Sequence, residues 1–397
     1  MFVGKTLTNL RILRGYNRKQ LAQVLGVTEQ AVWQYENGYA APKLGTINDL
    51  KRLFSVKSRF FYQEDLLSKQ SKNYVNHNHI AYRADERNSV QKTQMEKVHL
   101  EYSIAFLNLL SNHFQLPENN MRKLRDEVLY LMRTSSNELE EIKLYAHYAR
   151  DFLGISSINN KNILYHLEKN GVFVFEKAVG EKVDAYSVWS EDDMPYIMLG
   201  NSKGVAARRN FDLAHELGHL LMHYKEEFAL QDKSNHNIFE QQADIFAGEF
   251  LLPEREIRKD LEALNRISNP DSYLDLKKKW EVSIQALGYR ARDLGIMSEQ
   301  QFRYFYAQIN KMGYRKLEPL DKEIPLQRPG KIKSILQFLF ENKVIKLENI
   351  LSSLELEEEF LSVLTGIDKD FFKKYKEHTS RTYSIADFKQ ENINFGN

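Results

Sequence analysis

The pentapeptide His215-Glu216-Leu217-Gly218-His219 carries the makings of a metal site and a base together. Residues four apart share one face of a helix, so two imidazoles at this spacing can reach one ion. Glu216, between them, can then take a proton from a water beside that ion. Zinc suits these donors, and a catalytic zinc takes three protein ligands and leaves a fourth position for water. The third ligand is expected on a nearby helix. Glu240 heads the run EQQADIFAGEFLLP, and Asp244 follows one turn later on the same face. Glu240 is assigned to the zinc. Asp244 is assigned to the free ring nitrogen of a ligand histidine, whose tautomer it would fix. His223 lies eight residues past His215, about 12 Å along the helix at roughly 1.5 Å per residue, and takes a structural or supporting role. His236, Tyr186 and Tyr196 are weaker candidates for stabilising an oxyanion, and the sequence does not choose among them.

These residues need elements to hold them. The motif helix begins near Phe211 with Asn210 as a plausible N-cap, and a second helix covers about 238–251 and stops at Pro253. Upstream, helices are expected at 137–153 and 160–169. Strands follow in the Val- and Phe-rich run after Gly171, at Ala185–Trp189 and at Pro195–Leu199. After 254 almost every stretch reads as helix. The fold class is mainly α with a small α+β unit. Four segments are expected: 1–67, a linker with connecting helices at 68–136, the metal-bearing unit at 137–320, and a helical tail at 321–397. No internal repeat is evident.

Residues 1–67 form a separate case. Leucines and alanines recur at helical spacing in five short runs, broken at Gly15, Gly26, Gly38 and Pro42. Within Arg18–Gly38, two short helices meet at Leu25-Gly26-Val27-Thr28. Gly26 can supply the positive φ of a tight turn, and Thr28 can cap the second helix. Ala31, Val32 and Tyr35 should face inward, and Glu29, Gln30, Trp33 and Gln34 outward. Side chains near that helix's N-terminus can meet base edges in a major groove, where Gln pairs with adenine and Glu accepts from cytosine.

This segment resembles the Xre/Cro-type helix-turn-helix repressors, through Arg18, Leu21-Ala22, Leu25-Gly26-Val27, Val32, Tyr35-Glu36-Asn37-Gly38 and Pro42. The resemblance implies that Glu29, Gln30 and Gln34 read bases, with Arg18, Asn37 and Lys43 near phosphate. Trp33 departs from it, since a small or polar residue is commoner there. The stretch 137–320 resembles the ImmA/IrrE metallopeptidases of the gluzincin group. That likeness rests on Arg209, Phe211, Leu213–His219, Glu240, Ala243-Asp244, Phe246-Ala247 and Leu251-Leu252-Pro253. It implies a zinc endopeptidase that inactivates a regulatory protein.

The whole chain bears 56 Lys and Arg against 54 Asp and Glu, so bulk charge names no partner. Residues 1–67 alone carry ten basic and five acidic side chains, an excess of five that suits a polyanion. With no cysteine, disulfides and thiolate-bound zinc are excluded. No apolar run nears the ~18 residues of a membrane span, and a cytoplasmic location is expected. The expected partners are operator DNA and a protein substrate: the chain itself, a sister copy or another regulator. A homodimer follows by analogy with half-site binding. Two other readings stay open. The second unit could sense a ligand or peptide without cutting, or the first could dock a protein that the second cuts.

Overall fold

The computed structural model describes residues 1–64, 66–67, 90–116, 118–134, 139–177, 185–200, 204–226 and 233–376. At the N-terminus lie α1 (Gly4–Leu13), α2 (Arg18–Leu25), α3 (Glu29–Glu36) and α4 (Leu44–Phe54). A 3-10 turn at Ser58–Tyr62 stands where a fifth helix was expected. The local causes match the sequence. Asn17 and Gln20 form a reciprocal cap on α2, Gly26 ends it at φ 64°, and Thr28 Oγ1 accepts from the Ala31 amide. Leu21, Leu25 and Val32 are buried at the joint. Gly4 lies against the end of α3, where a Cβ would come within 2.3 Å of the Glu36 carbonyl oxygen. No larger residue fits there.

The middle of the chain runs α5 (Val90–Ser111), α6 (Asn120–Thr134), α7 (Leu139–Phe152), α8 (Ile163–Lys169), β1 (Phe173–Glu176), β2 (Tyr186–Trp189) and β3 (Pro195–Leu199). Then come α9 (Ala206–Met222), α10 (Lys233–Leu251), α11 (Glu254–Glu262), α12 (Leu274–Trp280), α13 (Ile284–Asp293) and α14 (Glu299–Lys311). Strand β3 is central. It pairs parallel with β1, Phe173 opposite Tyr196, and antiparallel with β2, Tyr186 opposite Met198.

Every strand residue is buried, because the sheet divides two cores. Side chains alternate across it. Phe173, Phe175, Tyr186, Val188, Tyr196 and Met198 join the core of the N-terminal helices and α5. Val174, Trp189, Ile197 and Leu199 join the core of α6 to α14.

The last described segment holds α15 (Lys331–Glu341), α16 (Leu347–Ser353), α17 (Glu358–Thr365) and α18 (Lys369–Lys373). It packs on the N-terminal core. Val56 and Leu356 form an antiparallel bridge, flanked by Lys57 N–H to Glu355 O at 2.8 Å and Glu357 N–H to Ser55 O at 3.0 Å. Phe360 lies 6.4 Å from Phe60 and 6.1 Å from Tyr102, ring centre to ring centre.

The α16–α17 hairpin also corrects the expectation of no repeat. Ile350-Leu351, Leu354, Leu356 and Phe360-Leu361 have the spacing of Leu21-Ala22, Leu25, Val27 and Ala31-Val32. Glu355, at φ 55°, takes the left-handed place of Gly26. A non-glycine residue there hides the likeness. Among the described residues no helix is long and apolar enough to cross a membrane.

Candidate metal centre and nucleic-acid face

The motif helix α9 starts one turn earlier than expected, at Ala206 after Gly204, so Asn210 is not its cap. Asn210 lies inside the helix and donates to the Glu281 carbonyl at 3.1 Å. Strand β2 anchors the other side: Ser187 Oγ donates to Glu216 O at 3.2 Å and Trp189 Nε1 to Leu220 O at 2.8 Å. Arg209 joins the start of α9 to the end of β1 by a 2.6 Å bond to Glu176. Gly218 faces α10, where a Cβ would sit 3.2 Å from Phe246 and 3.4 Å from the Ala243 Cα. The close approach of the two helices depends on that missing side chain.

That approach brings Glu240 to the two histidines. The Nε2 atoms of His215 and His219 lie 3.1 Å apart. Glu240 Oε2 is 3.5 Å from the first, and Oε1 is 3.3 Å from the second. The three donors lie within 4.8 Å of one another, the arrangement of a shared ion.

The outer nitrogens fix which inner ones can bind. His215 Nδ1 is 2.9 Å from Asp244 Oδ1, and a carboxylate only accepts, so Nδ1–H donates and Nε2 is the nitrogen left for a metal to take. His219 Nδ1 meets His223 Nδ1 at 2.9 Å, and His223 Nε2 meets Gln242 Oε1 at 2.9 Å. With His223 Nε2–H donating to the amide oxygen, its Nδ1 accepts from His219, and His219 Nε2 also turns inward bare. Burial lowers the His223 pKa to about 3, which keeps that ring neutral.

Electrostatics agree with a cation at this point. Burial alone would lower the His215 pKa. Its bonds to Asp244 and Glu240 and the charge of Glu216 outweigh that and raise it to about 9. Burial likewise favours a neutral Glu240, yet the facing histidines hold its carboxyl well below the usual range. Glu216 is 3% exposed, and its Oε2 has no hydrogen-bond partner. Desolvation pushes its pKa up to about 7, against the pull of His215. A carboxylate poised there suits proton transfer near neutrality. The donor set and the orphaned oxygen fit a zinc ion with a water beside it.

The weaker candidates are placed elsewhere. Tyr186 and Tyr196 point to the opposite face of the sheet. Tyr186 OH donates to Glu96 O at 3.1 Å, and Tyr196 stacks on Phe173. The His236 side chain lies outside the described residues. Reading His223 from its distance to His215 missed that it stands one turn from His219, and Gln242 was not foreseen. The i, i+4 spacing of His219 and His223 was the available signal for the first.

On α3, Glu29, Gln30 and Trp33 are exposed and Gln34 is half-buried, and Asn37 at its C-cap and Lys43 beyond are exposed. Trp33 stacks on Tyr39, with ring centres 5.2 Å apart and planes 19° apart. Arg18, expected near phosphate, turns its guanidinium to Glu36, which also pairs with Arg11. Glu36 is buried, and an uncompensated charge there would be costly. Tyr35, expected to face inward, is only partly buried and packs against the edge of the core.

Comparison with known proteins agrees with both regions. Residues 167–292 match the model of a peptidase family described as the IrrE N-terminal-like domain. Residues 7–61 match the helix-turn-helix model. A 57-residue stretch is 35% identical to the SPbeta prophage-derived uncharacterized HTH-type transcriptional regulator YonR of Bacillus subtilis (strain 168). That match covers 14% of this chain and 53% of the other, so the chain spans about half of this relative's length.

Proposed function

We propose that this chain, a helix-turn-helix segment and an IrrE N-terminal-like domain joined across one buried sheet, is a zinc-dependent endopeptidase tied to transcription. It binds an operator and cuts a repressor or other regulatory protein, itself included. The observation that carries this reading is the convergence of two histidine Nε2 atoms and the Glu240 carboxylate, with both outer histidine nitrogens engaged.

His215, His219 and Glu240 would hold the zinc, with Asp244 and His223 orienting the rings. When bound, the ion lowers the pKa of water to about 7 and polarises the scissile carbonyl. Glu216 accepts the proton of the attacking water and delivers it to the leaving amine nitrogen. The buried surroundings keep its pKa near neutrality, so one carboxyl serves as base and then acid. On the other side of the sheet, Glu29, Gln30 and Gln34 meet base edges in the major groove of duplex DNA. Trp33 adds apolar contact, and Asn37, Lys43 and the free edge of Arg18 lie near phosphate. Two half-sites would be read by a homodimer.

The test incubates the zinc-loaded full chain with repressors encoded in its own genome and with itself, with and without chelator. Chelator-sensitive cutting that Glu216→Gln abolishes is the expected result. Zinc binding without cutting under any inducing condition rejects the peptidase reading and leaves a sensor.

A further inference from the structure

Helix α10 does more than supply Glu240. Glu240, Asp244 and Gly248 follow at intervals of four, one stripe down a single helix face, with Leu252 just past the helix end, and all four line a groove of 1260 Å³. Ala286, Tyr289 and Leu294 form part of the opposite wall on and just beyond α13. Gly248 is the anomaly in this stripe. Glycine inside a helix costs about 1 kcal/mol relative to alanine, so a packing reason is expected for it. Gly218 has one, since its absent Cβ would press on Phe246. Gly248 has none: a Cβ there meets no atom within 4 Å. The helix gives up stability to keep open a space on the groove floor, two turns from the Glu240 ligand.

We propose that Gly248 sets the depth of the groove that receives the substrate polypeptide, and that a large apolar substrate side chain sits over it. The neighbours decide the chemistry. Ile245 and Leu252 lie one turn to either side of Gly248 and are apolar, Ala286 and Leu294 line the same groove, and Glu249 next in sequence is already neutralised by Arg290 and His147. A charged side chain would lose water against these apolar groups. Glu240 lines the groove, so a chain lying in it reaches the metal site at that residue. This rests on the peptidase reading for its occupant.

The experiment uses the full zinc-loaded chain carrying Glu216→Gln, so that peptide is held and not consumed. The probes are fluorescein-labelled decapeptides of Ala, Gly and Ser with one central Leu, Phe, Asp or Lys. Leu and Phe peptides should bind at least about tenfold tighter than Asp or Lys peptides, as one buried large apolar side chain allows. Adding Gly248→Leu should erase that preference without changing zinc content. Gly248→Ala is the variant certain to respect the helix. It should weaken binding by a few-fold while raising Tm by about 1–3 °C. Equal binding of all four peptides, no binding at millimolar peptide, or a Gly248→Leu protein that keeps the preference would overturn the proposal. Cleavage by the wild type is scored separately. Selective, Gly248-dependent binding with no cutting sinks the peptidase reading alone. Cutting that ignores Gly248 sinks this inference alone.

Discussion

The two functional regions are built on opposite principles. Helix α3 leaves Glu29, Gln30, Trp33 and Asn37 in water and fixes its position from behind through a buried carboxylate, Glu36. Helix α9 buries His215, Glu216 and His219, and hydrogen bonds to Asp244 on α10 and to His223 one turn on orient the two rings. A surface that recognises a large rigid ligand needs exposed side chains on a stiff support. A site that moves protons needs groups removed from water, where each neighbouring charge acts strongly. Substitution should therefore be abrupt at α9 and graded at α3.

The largest expected effect is Glu216→Gln. It should lower cleavage by about 10²–10⁴-fold, the range of lost general-base catalysis, while bound zinc, read by elemental analysis, stays equimolar. Residual cutting within tenfold of wild type would assign the base elsewhere. Next are Asp244→Ala and His223→Ala, which remove the partners that orient the ligand rings. Each should weaken zinc about 10–100-fold in a competition titration, and unchanged affinity would break the claim that α9 is held by its outer bonds.

On α3, Gln30→Ala and Gln34→Ala should each cost about 1–3 kcal/mol of operator binding and relax specificity at one base pair. Lys43→Ala should weaken all sequences alike and flatten the salt dependence. Equal losses on specific and random DNA for all three would make the face a mere phosphate binder.

The smallest effect concerns metal-free protein. Desolvation pushes the Glu216 carboxyl up to about 7 in the fold, well above the usual carboxylate range of about 4.3. The fold thus binds this proton more tightly than the unfolded chain does. That contribution is complete below about pH 4.5 and is lost as pH rises through 7. Tm should fall over this window by a few degrees, and Glu216→Gln should remove that part of the fall. Identical pH profiles would show that the carboxyl is not desolvated.

Much of this was legible because periodicity carries it. His215, His219, Glu240 and Asp244 sit at helical intervals, and Gly26 and Thr28 mark a turn by residue type alone. What stayed hidden depends on long-range partners. The sheet is apolar on both faces, so alternation could not say which way Tyr186 and Tyr196 point. Nothing local tells Arg18 that Glu36 will be buried eighteen residues later. The amphipathic pattern of Leu347, Ile350, Leu351 and Leu354 foretold a packed helix but not its partner, which is the N-terminal core.

That last contact has a topological consequence. Because Ser55 to Lys57 are stitched to Glu355 to Glu357, and α1 packs on α5, the N-terminal helices are held by tertiary contacts as well as by the chain. One cut between Leu67 and Val90 would leave two pieces that still travel together. Freeing the helix-turn-helix takes loosening of its packing on α5 as well as removal of the segment from Lys331 onward, so scission of the connection and release of the DNA-binding unit are separate events.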